Sequence, residues 1–244
     1  MVANIYREVS MLAGPTVSIR TMRRALSHTI GSLTAAIAAD IERSDEDRAF
    51  FAAEQAKLDP LAAQLKAVYL ALDEHDLGTG EIQQATVEIG DEVLDRGVRT
   101  ANARTKLALR GKAGLDATHA FGQRVDDLTG APIASEPAAV LAAVARMNDL
   151  PPFDERADLQ ADLTARANKQ EEFLKARDEG YAARTRLASE GTRLVVEAAL
   201  ALASLKGSLD ARFPRQRAYV GGFFLDVAPK ASRKRGAAEE PEGG

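Results

Sequence analysis

Cysteine and tryptophan are both missing from the 244 residues of this chain. Without Cys there is no disulfide, no thiolate zinc site and no cysteine nucleophile, whatever the compartment. Aromatic residues make up only 5% of the sequence, so a core must be built mainly from Leu, Ile, Val and Ala. No run of about 18 apolar residues occurs, which excludes a spanning helix. The opening MVANIYREVSMLAGPT has no cationic stretch followed by an apolar one, so no secretory signal is expected and a cytoplasmic protein of bacterial type is. Gly-x-Ser-x-Gly, a Walker A loop, His-Glu-x-x-His and Glu-x-x-His are all lacking. Their absence removes the local signals of an α/β-hydrolase, a P-loop enzyme, a zincin and a di-iron bundle.

What is present is a charged, apolar, helix-forming chain: 45% hydrophobic, 28% charged, net charge −4. From Val17 to Ile41 the residues Ile19, Met22, Leu26, Ile30, Leu33, Ile37 and Ile41 advance in steps of three and four. That spacing gathers them on one helical stripe, whereas a strand would scatter them over two faces. Ser44 before Asp45, Glu46 and Asp47 reads as an N-cap followed by acids suited to the positive end of a helix dipole. The second helix is expected to bury Phe51, Leu58, Leu65, Val68 and Leu72, to kink or restart at Pro60, and to close at Leu77–Gly80. A third helix from about Glu81 to Gly111 carries the stripe Ile82, Ala85, Ile89, Val93, Ala101 and Leu107, with Gly90 and Gly97 marking close packing against another helix.

Further along, Ser135-Glu136-Pro137 reads as an N-cap with Pro in the first turn, opening a helix to about Asn148. Leu150-Pro-Pro-Phe153 breaks the chain. Asp154 or a neighbour then caps a long helix with Leu159, Leu163, Ala167, Phe173 or Leu174, and Tyr181. A last stripe runs through Leu187, Leu194, Ala198, Leu202, Leu205 and Leu209. Val195–Leu205 is apolar nearly all round, the pattern of a fully buried helix. Pro214 ends it. Tyr219–Val227 is expected as an extended aromatic strap, and the polar 229–244 tail as disordered.

Sliding the chain by 80 residues aligns Leu61–Ala63 with Leu141–Ala143 and Ala103–Thr105 with Ala183–Thr185. Either duplication or Ala- and Leu-rich helical composition produces such a match. Charge also alternates: residues 45–95 carry −10, 96–124 carry +6, 125–163 carry −6 and 164–217 carry +4. Antiparallel neighbours would then meet with opposite sign. These readings give an all-α antiparallel bundle of long hairpins. Its parts are N-terminal hairpins over 1–128, and a C-terminal hairpin with the aromatic strap over 135–228.

Candidate chemistry is sparse. His28 lies beside the first stripe, where packing explains it, and His75 lies at an expected helix end, where a cationic imidazole suits the dipole. His119 follows Asp116 by three residues. The paired acids Asp126-Asp127 and Glu171-Glu172 read as solvated faces, and Gly111-Lys-Ala-Gly114 has no strand before it to make a phosphate loop. No catalytic, cofactor or metal residues are assigned. Arg212, Arg215 and Arg217 suit the negative end of the last helix, and also an anion or partner, as does Arg233-Lys-Arg235. Tyr219, Phe223 and Phe224 around Gly221-Gly222 suit a core strap or a docking strip.

The segments Leu150-Pro-Pro-Phe-Asp154, Asp158-Leu-Gln-Ala-Asp-Leu163 and Arg212-Phe-Pro214 resemble a group of uncharacterised bacterial Ala-rich helical-hairpin proteins over residues 150–214. The resemblance implies a long hairpin and no activity. The functional expectation is a non-enzymatic structural or protein-interaction bundle that self-assembles or binds a protein partner. Nucleic-acid or anionic-surface binding through 96–124 and 212–217 is one alternative, and a small-molecule or metal-binding bundle is the other.

Overall fold

The structure is a computed structural model and describes residues 18–39 and 44–225. Among the described residues there is no strand. The helices are α1 (Ile19–Ala38), α2 (Asp45–Glu74), α3 (Gly80–Ala108), α4 (Ala117–Phe121), α5 (Asp126–Thr129), α6 (Glu136–Arg146), α7 (Arg156–Arg212) and α8 (Arg217–Gly221). A π-helical turn, His75–Thr79, joins α2 to α3, and a 3-10 turn, Met147–Asp149, follows α6. The all-α expectation therefore holds. Val17, Ile41, the end of the strap (226–228), the 229–244 tail and its Arg233–Arg235 cluster lie outside the described residues.

The described residues form two compact units, one from residues 18–39, 44–70 and 188–225 and the other from residues 71–187. In the first unit, Ser18 accepts the Thr21 amide at 3.1 Å and Ser44 the Asp47 amide at 3.2 Å, so both helix starts are capped as their residue types require. The stripe of α1 (Met22, Leu26, Leu33) meets Phe51, Leu58 and Leu65 of α2 and Leu194, Ala198, Leu202, Leu205 and Leu209 of α7. Phe51 stacks between Phe213 at 5.9 Å and Phe223 at 5.7 Å, while Tyr219 sets its edge against both of those rings.

Three expectations for this unit are corrected. Helix α2 passes through Pro60 without restarting, because Pro60 and Ala56 both face solvent and the carbonyl freed by the missing amide can bond water. Val195–Leu205 is not buried all round: Val196 and Leu200 are half exposed, since the neighbouring helices cover one side of α7 only. The strap is helical over Arg217–Gly221 and reaches the core with Val220 and Phe223, so contact with the core stands and the extended backbone does not.

The second unit is built on α3 and the N-terminal part of α7, which run antiparallel. Gln83 bonds the Ala176 carbonyl, Gln170 the Val87 carbonyl, and Arg166 the Val93 carbonyl. Gly90 and Gly97 face α7, the close packing expected of glycines inside a helix. A Cβ on Gly90 would lie 2.1 Å from Gln170 Oε1 and 2.8 Å from Phe173 Cδ2, and one on Gly97 would lie 2.6 Å from Arg166 Cδ. Since Gln170 is buried and held to Val87, Gly90→Ala is expected to destabilise by about 1–3 kcal/mol despite better helix propensity. The Arg166 stem can swing toward solvent, so Gly97→Ala is expected to be near neutral. Urea unfolding of both variants checks this, and equal midpoints would remove the distinction.

Helices α4 to α6 close the far end over Leu94, Val98 and Ala101 of α3 and Leu159, Leu163 and Ala167 of α7. Two starts differ from expectation. Ser135 has helical backbone angles and turns its hydroxyl to the Pro132 carbonyl at 2.9 Å, so it does not cap α6, although Pro137 sits in the first turn as expected. Leu77–Gly80 does not close a helix. Glu74, Thr79 and Gly80 are all helical, and the wider π turn lets buried His75 reach the Gly180 carbonyl at 3.0 Å. The segments matched at an offset of 80 lie in elements of unlike length, Leu61–Ala63 in the 30-residue α2 and Leu141–Ala143 in the 11-residue α6.

Candidate functional site

Helix α3 carries two apolar stripes, and only one is covered. Val87, Leu94, Val98, Ala101 and Thr105 are buried. Of the residues expected on one buried stripe, Ala101 is buried but Ala85 is exposed, Ile82 is 67% exposed, Ile89 66%, Val93 42% and Leu107 72%. The expectation is thus corrected: both stripes have helical spacing, and packing against α7 and α6 selected the other one. Tyr181, expected on the inner stripe of α7, is likewise half exposed.

The uncovered stripe forms one wall of a groove of about 790 Å³ between α3 and α7. Its floor is Gly90, where the missing side chain lets Phe173 approach, and Ile82, Ile89 and Val93 stand along one edge. Arg166 and Lys169 form the opposite edge, tied to Asp162 at 2.8 Å and Glu172 at 2.7 Å respectively. Lys169 also lies 5.0 Å from the Phe173 ring centre. A surface of large aliphatic side chains set in a concave groove with a charged rim is suited to receive another apolar surface.

Behind the groove three carboxyl groups converge. Asp91 and Asp95, one helical turn apart on α3, meet Glu136 in the first turn of α6. Glu136 is fully buried, and neither of its oxygens receives a hydrogen bond from an N–H or hydroxyl. Burial raises its pKa to about 9, helped by hydrogen bonding to Asp91 and Asp95 and by their charge. The helix N-terminus favours the ionised form, but a dipole contribution of about 0.3–2 kcal/mol is smaller than the cost of burying a carboxylate beside two others. Glu136 is therefore a neutral acid at pH 7 and donates its proton to the pair. Asp95 also takes a bond from Arg99 at 2.9 Å. Among the described residues no group of three or more His, Asp or Glu is arranged to hold a metal ion.

The residues singled out from sequence fall in different places. Arg212 bonds Asp47 at 2.6 Å and lies 5.0 Å over the Phe50 ring, joining the C-terminal end of α7 to the N-terminal turn of α2. Arg215 and Arg217 are exposed beyond it. Phe223 is buried in the core of the first unit, and Tyr219 and Phe224 pack against that core. In the basic 96–124 segment, Arg99 is held by Asp95 and Thr129, Arg104 reaches Glu155 at 3.4 Å, and Lys112 bonds the Pro152 carbonyl at 2.8 Å. Arg184 grips Asp76 with two bonds of 2.6 and 3.0 Å, which holds the Asp76 carboxyl below its ordinary range. Oppositely charged blocks thus meet across antiparallel helices.

His28 bonds the Gly222 carbonyl at 3.2 Å, and His119 pairs with Asp149 at 3.1 Å. Asp116 instead caps α4 by accepting the Thr118 amide and hydroxyl, which lowers its pKa. Sequence reasoning missed both the exposure of the α3 stripe and the carboxyl cluster. For the first, the two competing stripes on one helix were the available signal. For the second there was none, because Glu136 meets its partners only across the fold. No family model matches the chain, and no curated protein or solved structure matches it.

Proposed function

We propose that this chain is a non-enzymatic helical interaction protein of the cytoplasm, and that the uncovered stripe of α3 with its groove is the surface that receives a helix of a protein partner. The supporting observation is the exposure of Ile82, Ile89, Val93 and Leu107 along one face of a single helix. Large aliphatic side chains scattered singly over a surface need no explanation, whereas a row of them at helical spacing presents apolar area that an amphipathic helix can bury. Anchors spaced by three, four and seven residues are the pattern of helix-in-groove recognition. A photoreactive phenylalanine at Ile89 is expected to give protein adducts in host cells, and the same residue at exposed Lys66 is expected to give none. A chain labelled at Ile89 that forms no adducts would overturn the reading.

A further inference from the structure

We infer that the helix received by this face is α3 of a second copy, packed antiparallel about a two-fold axis between Leu94 and Asp95. The inference rests on the interaction reading above and supplies the partner. From Ile82 the outer face of α3 continues through Thr86, Ile89, Val93, Arg96, Thr100, Ala103 and Leu107, alternating steps of four and three. That is a period of 3.5, which keeps a stripe facing a partner helix over about 38 Å at 1.5 Å per residue. All of these side chains are exposed except Thr86, which is half-buried.

The order of residues makes the face complementary to itself when reversed. In the antiparallel arrangement Ile82 lies opposite Leu107 of the second copy, Thr86 opposite Ala103, Ile89 opposite Thr100 and Val93 opposite Arg96. Every layer then joins the N-terminal half of one helix to the C-terminal half of the other. Charge follows the same rule. The exposed charges beside the stripe are Glu81, Glu88 and Glu92 in the first half and Arg96, Arg99, Arg104 and Lys106 in the second, with Arg104 paired to Glu155 of its own chain. A parallel pair would set acid against acid and base against base. The antiparallel pair sets Glu92 beside Arg96 of the second copy twice by symmetry, closing both ends of the central layer. The guanidinium of Arg96 can extend along Val93 and end at that carboxylate, so a cation in the stripe is satisfied at the axis.

Light scattering of the full chain at about 100 µM is expected to give twice the 26.1 kDa chain mass. Because the chain has no cysteine, register can be read directly. An equimolar mixture of Ile89→Cys and Thr100→Cys chains is expected to oxidise to the mixed dimer. Neither chain alone should crosslink, since like positions stand about 16 Å apart along the axis. Glu92→Arg and Arg96→Glu are each expected to weaken association about tenfold, and the double variant to restore it. Retained helicity by circular dichroism separates these effects from unfolding. A monomer at that concentration, or a dimer that forms no mixed disulfide and ignores both reversals, overturns the inference. If the Ile89 photo-adducts then contain another protein, the interaction reading survives without self-pairing. If there are no adducts, both fall.

Discussion

Raising the pH from 5 to 8 is expected to lower the stability of the 71–187 unit steadily, on the order of 1 kcal/mol per pH unit, and Glu136→Gln to remove that slope. The sign follows from proton counting. Unfolded, Glu136 releases its proton near the ordinary value of 4.5; folded, it holds the proton to about 9. Below 4.5 both states are protonated and the native state has its full advantage. Between those values the unfolded state alone gains by ionising, so stability falls with each pH unit, and above about 9 the loss is complete. The glutamine amide donates to Asp91 and Asp95 as the neutral acid does and has no proton to release. Carboxyls held below their ordinary range, Asp76 by Arg184, Asp116 by Thr118 and Glu190 by Arg193, act in a separate window. Their contribution is present above about pH 4 and is lost as pH falls through their lowered values. Urea titrations at pH 5, 6.5 and 8, followed by circular dichroism, make the comparison. Parallel slopes for the two proteins would show that Glu136 does not carry the proton.

Phe51→Ala is expected to cost about 3–5 kcal/mol. The ring is fully buried and stacks with Phe213 and Phe223, which come from the end of α7 and the segment after α8. Removing it deletes buried apolar area and leaves a cavity between two rings that backbone at three separate points holds apart, so collapse recovers little. Val196→Ala, at a half-exposed site on α7, is expected to stay within about 0.5 kcal/mol. The urea midpoint is the readout, and a Phe51 variant as stable as the Val196 variant would show that the aromatic cluster does not anchor this unit.

Much of the helical framework was legible because its causes are local. Alternating three- and four-residue steps specify α1 and the inner faces of α2 and the C-terminal part of α7, and the Ser44 cap needs only the next three residues. The close approach at Gly90 and Gly97 was also legible, since a missing side chain inside a helix costs stability unless another element uses the space. The π turn was not. Leu77-Gly-Thr-Gly80 has the residue types of a helix stop, and what carries the helix through it is a carbonyl at Gly180, 105 residues from His75. Ser135 failed as a cap for a similar reason, its hydroxyl being taken by Pro132 in the preceding turn.

The sequence by itself determined that this is an all-α protein, where its main helices lie, and that acidic and basic segments alternate along it. These follow from dihedral preferences, caps and periodicity within a few turns of chain. Only the tertiary structure decided which stripe of α3 faces inward, that Glu136 keeps its proton, and that Tyr219 and Phe223 belong to a core cluster. Each of those depends on segments tens of residues apart arriving at the same place. A helix with two apolar stripes has no local reason to bury either. The contact made through Gly90 and Gly97 settles the choice and leaves Ile82, Ile89, Val93 and Leu107 outside.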